Sequence, residues 1–221
     1  MAKQLPRSKM RGNPNRPSSV SNYYQKVCGC DEKKARKEWK ANGVRANEVR
    51  GSSRRALTAA ETKRLLSALR QNSGAAADAL KFALYTGLRV SEVVQAKYGD
   101  IKKMDWFGTP RFCLHVLGKG QKWRWVPLDR RAERALAEVG AAASGWIFKG
   151  RAAGHVSAVT VQALCRRIGE EVPELSFLTP HVLRHTYATT RVRECADPEE
   201  LKAALGHDSI NTTLVYVGKL R

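Results

Sequence analysis

The chain is short of acid. Against 40 Lys+Arg it carries 20 Asp+Glu, a formal net charge of +20 over 221 residues. Such a surplus favours a polyanion as partner, nucleic acid ahead of anionic lipid. Long apolar runs are also missing: no stretch approaches the ~18 residues that a membrane-crossing helix requires. Met1 to Arg7 is charged, and no apolar run follows it, so neither a secretion leader nor a membrane partner is expected. Cysteine is sparse, odd in number and scattered (Cys28, Cys30, Cys113, Cys165, Cys195). That is not a disulfide framework, and it suits a reducing, cytoplasmic setting. Cys28-Gly29-Cys30 has no second Cys/His pair at zinc-finger spacing, so the cysteines read as plain thiols and no metal is expected. The chain has enough apolar residues, 43%, to exclude wholesale disorder and to build a core. Charge alone names a class of partner only, since a ribosomal RNA binder would pass the same test.

The charge is unevenly spread. Residues 1–55 hold 15 Lys+Arg against 4 Asp+Glu, and Arg7 to Ser21, rich in Pro, Ser, Asn and Arg, reads as a flexible basic arm. Two short helices are predicted behind it, Ser19 to Val27 and Asp31 to Ala41. Residues 56–221 read as a packed domain that opens on a capping box, Thr58 with Glu61, ahead of Leu65, Leu66 and Leu69. Ala75 to Thr86 is a second helix stopped by Gly87, and a short one follows from Arg89 to about Ala96. Arg111 to Leu117 alternates as a strand, Gly118 to Gln121 turns, and Trp123 to Val126 returns antiparallel. Helices are predicted over Arg130 to Val139, Ser157 to Glu171, Pro180 to Arg193 and Pro198 to Leu205, with a last piece near Ile210 to Val217. The class is mainly α with a small antiparallel β-sheet.

Chemistry gathers in a few places. His181 and Arg184 are three apart on a helix that starts at Thr179-Pro180, hence on one face near its positive end. Arg89 opens another helix just after Gly87-Leu88, and His207 follows Gly206 past a helix end. Lys119 sits at a hairpin tip with Lys122 close enough to compete for its role, and Tyr216 lies in the last helix. This set suits attack of a tyrosine hydroxyl on a phosphodiester. The five-coordinate transition state gathers charge on its non-bridging oxygens, which two guanidinium forks can hold. Forming a phenolate at pH 7 from a tyrosine of pKa near 10 costs about 4 kcal/mol, which a base or a positive field must supply. His181 is the candidate base, and a lysine on a mobile hairpin can protonate the departing 5′-oxygen. With two arginines neutralising charge the reaction needs no metal, and no other cofactor is expected. The bland readings are surface ion pairs for Arg89 and Arg184, a solvated loop lysine for Lys119, and satisfied polar roles for His181 and His207. His115, His155 and His185 read as packing or surface, and Tyr187 as core.

The motifs resemble a known family. Thr86-Gly87-Leu88-Arg89-Val90-Ser91-Glu92 is similar to the first box of the tyrosine recombinase, or phage integrase, family. Gly118-Lys119-Gly120 with Arg124-Trp125-Val126-Pro127-Leu128 resembles its lysine hairpin. His181 to Thr189 looks like the second box, and Leu205-Gly206-His207-Asp208-Ser209-Ile210 with Thr213 and Tyr216 looks like its end. The resemblance runs from about Thr58 to Val217 in the family's order, and it implies that family's catalytic-domain fold. It implies that Arg89 and Arg184 bind the scissile phosphate and that His181 assists proton movement at the tyrosine. Lys119 would be general acid, His207 would donate a hydrogen bond to the phosphate, and Tyr216 would be the nucleophile forming a 3′-phosphotyrosyl bond. Glu92 would brace the site around Arg89.

Two departures qualify the resemblance. About 55 residues precede Thr58, fewer than the family's usual core-binding domain needs, so a short form is expected, its DNA clamp completed by the basic arm or an accessory DNA-binding protein. Only Val217 to Arg221 follow Tyr216, so the family's C-terminal docking segment is expected to be short or missing. The function expected is a site-specific recombinase, cytoplasmic and nucleoid-associated. Its implied substrate is duplex DNA with inverted repeats, held by a homodimer on a site and a tetramer in synapse. Integration, excision, inversion and resolution all fit. A type IB topoisomerase-like nickase would instead relax supercoils without recombinants. A DNA-binding regulator that has lost catalysis would act unchanged with Tyr216→Phe.

Overall fold

The computed structural model describes residues 55–118, 120–140, 145–150, 154–194 and 197–207. The basic arm, its two predicted helices, Lys119, and the last predicted helix with Tyr216 lie outside these residues. Helix α1 is Ala59–Gln71, and its start is fixed by the predicted box. The Thr58 hydroxyl accepts from the Glu61 amide, while the Glu61 carboxylate accepts from the Thr58 amide at 2.8 Å. Two N–H groups that no helix could satisfy are thereby paired.

Helix α2, Ala75–Thr86, is apolar on most of its circumference, with Ala77, Ala79, Leu80, Phe82, Ala83 and Leu84 all buried. A helix of that kind has to be enclosed. It packs against α1, the short α3 (Val90–Val94), α4 (Arg130–Val139), α5 (Ala158–Glu171) and α6 (Pro180–Arg193). Phe82 is fully buried and meets Phe148 with ring centroids 5.5 Å apart. Removing such a side chain from water stabilises by roughly 2–3 kcal/mol. Cys113 and Cys165 are buried free thiols, and burial pushes them up to about 11 and about 12.

The sheet has three strands in the order β1-β2-β3, Ile101–Trp106, Thr109–Leu117 and Trp123–Pro127, antiparallel throughout. The sequence reading anticipated β2 and β3 but not β1. In β1, Lys102, Lys103 and Asp105 are exposed, because this is an edge strand, where charge discourages further pairing. The β1–β2 turn is Phe107-Gly108, both at positive φ (50° and 81°). It has the geometry of a tight hairpin without the usual Asn-Gly or Asp-Gly. The Asp105 carboxylate completes it by accepting from the Gly108 amide at 3.0 Å.

Helix α7, Pro198–Leu205, lies on the sheet. Trp106, Cys113 and Ala204 form a second small buried cluster there, and the Trp106 indole donates to Glu200 at 2.9 Å. This docking brings the end of α7, and the Gly206 turn after it, beside Arg124 at the start of β3.

Candidate active site

Helix α6 carries the centre of the site. Its sequence is weakly amphipathic, yet Arg184, His185, Thr186 and Thr189 are buried along with its apolar residues. Their burial is tolerated where polar atoms are bonded. Thr186 Oγ1 donates back to the Val182 carbonyl at 2.8 Å and accepts from the Leu57 amide at 2.9 Å.

Arg184 is 4% exposed, so its charge must be met by fixed dipoles. One guanidinium nitrogen donates to the Gly87 carbonyl at 2.7 Å, the other to the Leu205 carbonyl at 2.6 Å. Both acceptors sit at C-terminal helix ends, Gly87 capping α2 and Leu205 ending α7. Terminal carbonyls have no partner within their helices and form the negative pole of the helix dipole. Arg184 therefore ties the turn two residues before Arg89 to the turn two residues before His207, segments far apart in sequence.

Each turn depends on glycine. Gly87 has φ +66°, and a Cβ built there would overlap the Tyr187 ring. Gly206 has φ +64° and donates to the Lys202 and Ala203 carbonyls, and His207 N also donates to Lys202. His207 is thereby held half-buried just past α7.

Arg89 is the N-cap of α3. Glu92, one turn on, accepts from the Arg89 amide at 2.8 Å and from its guanidinium at 2.9 Å. The Glu92 side chain is 2% exposed. Burial would push its carboxyl up, but the hydrogen bonds and charge of Arg124, with those of Arg89, hold it below the usual carboxylate range. His181 is exposed on the first turn of α6, and its ring meets His185 edge-on at 5.5 Å.

Arg89, Glu92, Arg184 and His207 are thus brought together, directly or through the turns that carry them, and His181 stands one turn before Arg184. Lys119 and Tyr216 lie outside the described residues. Gly118 and Gly120, on either side of Lys119, belong to the hairpin turn between β2 and β3, where the Gly118 amide donates to the Lys122 carbonyl at 2.8 Å. The described tyrosines are Tyr85, Tyr98 and Tyr187, and burial raises the pKa of all three, that of Tyr187 to about 12. None of them is suited to ionise near neutral pH.

Sequence reasoning assigned no role to Arg124. Its guanidinium makes a two-pronged pair with Glu92, both bonds at 2.8 Å, and its Nε donates to the Ala204 carbonyl at 2.9 Å. The signal was its position in β3. Arg124 stands opposite Val116, on the face shared by Leu114 and Val126, which are buried. An arginine on the apolar side of a strand calls for a buried carboxylate nearby. His115 was read as packing or surface, and it stacks between Trp123 (4.5 Å) and Trp125 (4.3 Å).

The chain is similar to known proteins in sequence and in fold. Tyrosine recombinase XerC of Xanthomonas axonopodis pv. citri (strain 306) is 33% identical over 135 residues, covering 59% of this chain and 42% of the relative. Tyrosine recombinase XerD of Rhizobium meliloti (strain 1021) is 35% identical over 142 residues, covering 59% and 43%. The chain spans less than half the length of these curated relatives. Its fold is similar to that of XerA recombinase (TM-score 0.60, 24% identity, 91% of this chain and 77% of that one). It is also similar to lambda integrase in a dimer bound to a COC′ core site (TM-score 0.56, 21% identity, 85% and 57%). The model of the phage integrase family matches residues 55–220. The chain belongs to the phage integrase family, the tyrosine recombinases.

Proposed function

We propose that this chain is a site-specific DNA recombinase that cuts and rejoins duplex DNA through a 3′-phosphotyrosine. The observation that supports this best is the Arg184 guanidinium, whose bonds to Gly87 and Leu205 draw the Arg89 and His207 turns toward one place. Cations and donors grouped in this way suit a phosphorane better than a ground-state phosphate.

In the proposed reaction the Tyr216 oxygen attacks the scissile phosphorus as the bond to the 5′-oxygen breaks. His181 takes up the phenolic proton, and Lys119 gives a proton to the departing 5′-oxygen, which leaves as a hydroxyl. Arg89, Arg184 and His207 hold the non-bridging oxygens, and Glu92 braces Arg89. One ester replaces another, so the bond energy is kept and ATP is unnecessary. Reversal on a new 5′-hydroxyl joins the exchanged strand. Protomers would pair on inverted repeats and meet as a tetramer in synapse at the host's nucleoid, with the basic N-terminal residues or an accessory DNA-binding protein completing the clamp.

The test uses nicked duplexes tiled across the DNA flanking the chain's own gene, incubated with EDTA and run on denaturing gels. A covalent protein–DNA band that is lost in Tyr216→Phe is expected. Relaxation of supercoils without recombinant products would instead favour a nickase, and tight binding with no covalent band would favour a regulator.

A further inference from the structure

We propose that Arg124 is a positioning residue for Arg89, acting through the carboxylate the two arginines share. This rests on the strand-cutting reading above and adds to it a residue with no role there.

The geometry carries the argument. Glu92 Oε1 accepts from Nη1 of both Arg89 and Arg124, and Oε2 accepts from the Arg89 amide and Arg124 Nη2. A fork-to-fork pair fixes the plane of a carboxylate as well as its place. The same plane sets the direction in which Arg89 leaves the start of α3. Arg124 is itself held: its Nε bonds Ala204, and Gly118 and Gly206 press on its side chain so closely that a Cβ at either would stand 2.8 Å from it. The strand after the lysine turn, the end of α7 before His207 and the Glu92–Arg89 unit therefore meet on one side chain.

Charge gives the second reason. A buried Glu92 paired with Arg89 alone would cancel the charge that Arg89 is to present to a phosphate. With Arg124 added, the three side chains carry a net +1, and Glu92 is satisfied without claiming Arg89 entirely. Arg124 is 11% exposed and Arg89 is 32% exposed, so the inner arginine neutralises and the outer one remains open to a ligand.

The test is single-turnover formation of the covalent bond at saturating nicked duplex, with DNA affinity and melting temperature measured beside it. Arg124→Met should slow the covalent step at least tenfold, with affinity within about threefold of the parent and a folded chain. Adding Glu92→Gln, which removes the carboxylate left to claim Arg89 alone, should recover part of that loss in the covalent step; a purely structural tie predicts recovery of melting temperature alone. Arg124→Lys, charged but unable to fork, should fall between parent and Met. A Met variant within twofold of the parent would overturn the proposal. So would a loss matched in affinity, no recovery of the covalent step in the double variant, or failure of both Met and Lys variants to fold. A parent that forms no covalent bond on any duplex defeats the strand-cutting reading and this proposal with it, an outcome distinct from a variant-only result.

Discussion

Gly87 shows how a single atom separates the arrangement from its loss. A methyl group there must take a left-handed backbone and enter the space of the buried Tyr187 ring. The Gly87 carbonyl, which accepts from Arg184, would be displaced as well. Gly87→Ala should cost roughly 2–4 kcal/mol, from backbone strain and overpacking together, read as a lower denaturation midpoint at unchanged slope. Tyr187→Phe, by contrast, should leave covalent-bond formation with DNA intact, because burial holds the Tyr187 phenol up at about 12. Loss of the covalent product in that variant would move the nucleophile's role away from Tyr216. Much of the site was legible at this scale, since Arg89, His181, Arg184 and His207 stood at helix ends marked by capping residues. Arg124 was not, because its partner Glu92 is 32 residues away and only the β2–β3 register shows which face it shares.

At the scale of elements, the N-terminus of α1 is where the described domain begins. Thr58→Ala removes the cap hydroxyl and should cost about 1 kcal/mol, measured as a shift in chemical denaturation. Glu61 also takes two hydrogen bonds from Arg55, at 2.7 and 2.5 Å, which together with the Thr58 bonds hold its carboxyl down at about 2 against the ordinary 4.5. A carboxyl depressed in the folded state stabilises fully above its unfolded value, and that contribution is lost as pH falls through the folded value. The melting-temperature advantage of the parent over Glu61→Gln should therefore be greatest above about pH 4.5 and fade toward pH 2. A constant difference across that range would contradict the assignment. Capping boxes and Pro-led starts made the helices readable. Strand β1 was not readable, because an edge strand shows solvent-facing lysines in place of an apolar alternation, and its Phe107-Gly108 turn lacks the usual residues. Helix α6 shows the reverse case: its period announces little, and Arg184 and Thr186 can be buried because Gly87, Leu205, Val182 and Leu57 bond them.

For the whole molecule, a charge of +20 on 221 residues would set the terms of the proposed encounter with DNA. Each phosphate that the protein neutralises releases a counterion, so affinity should fall steeply with salt. If the basic arm contributes, replacing Arg7, Lys9, Arg11 and Arg16 with Gln should reduce the slope of log affinity against log salt by up to about 4. Affinity should weaken almost equally for target and non-target duplex, since phosphate contacts carry no sequence information. An unchanged slope would place the contacts elsewhere. The fold class followed from the sequence because the helices and two of the strands were each marked locally. Convergence of the boxes did not follow, because it depends on how α6 and α7 pack against α2 and the sheet.

The central claim is that Tyr216 forms the bond to DNA, and it is tested most directly by isolating the covalent complex and sequencing the nucleic-acid-bearing peptide. The account predicts a peptide containing Tyr216, joined through phosphate to a 3′ DNA end, with a free 5′-hydroxyl on the released strand. A link to another residue, or to a 5′ end, would contradict it.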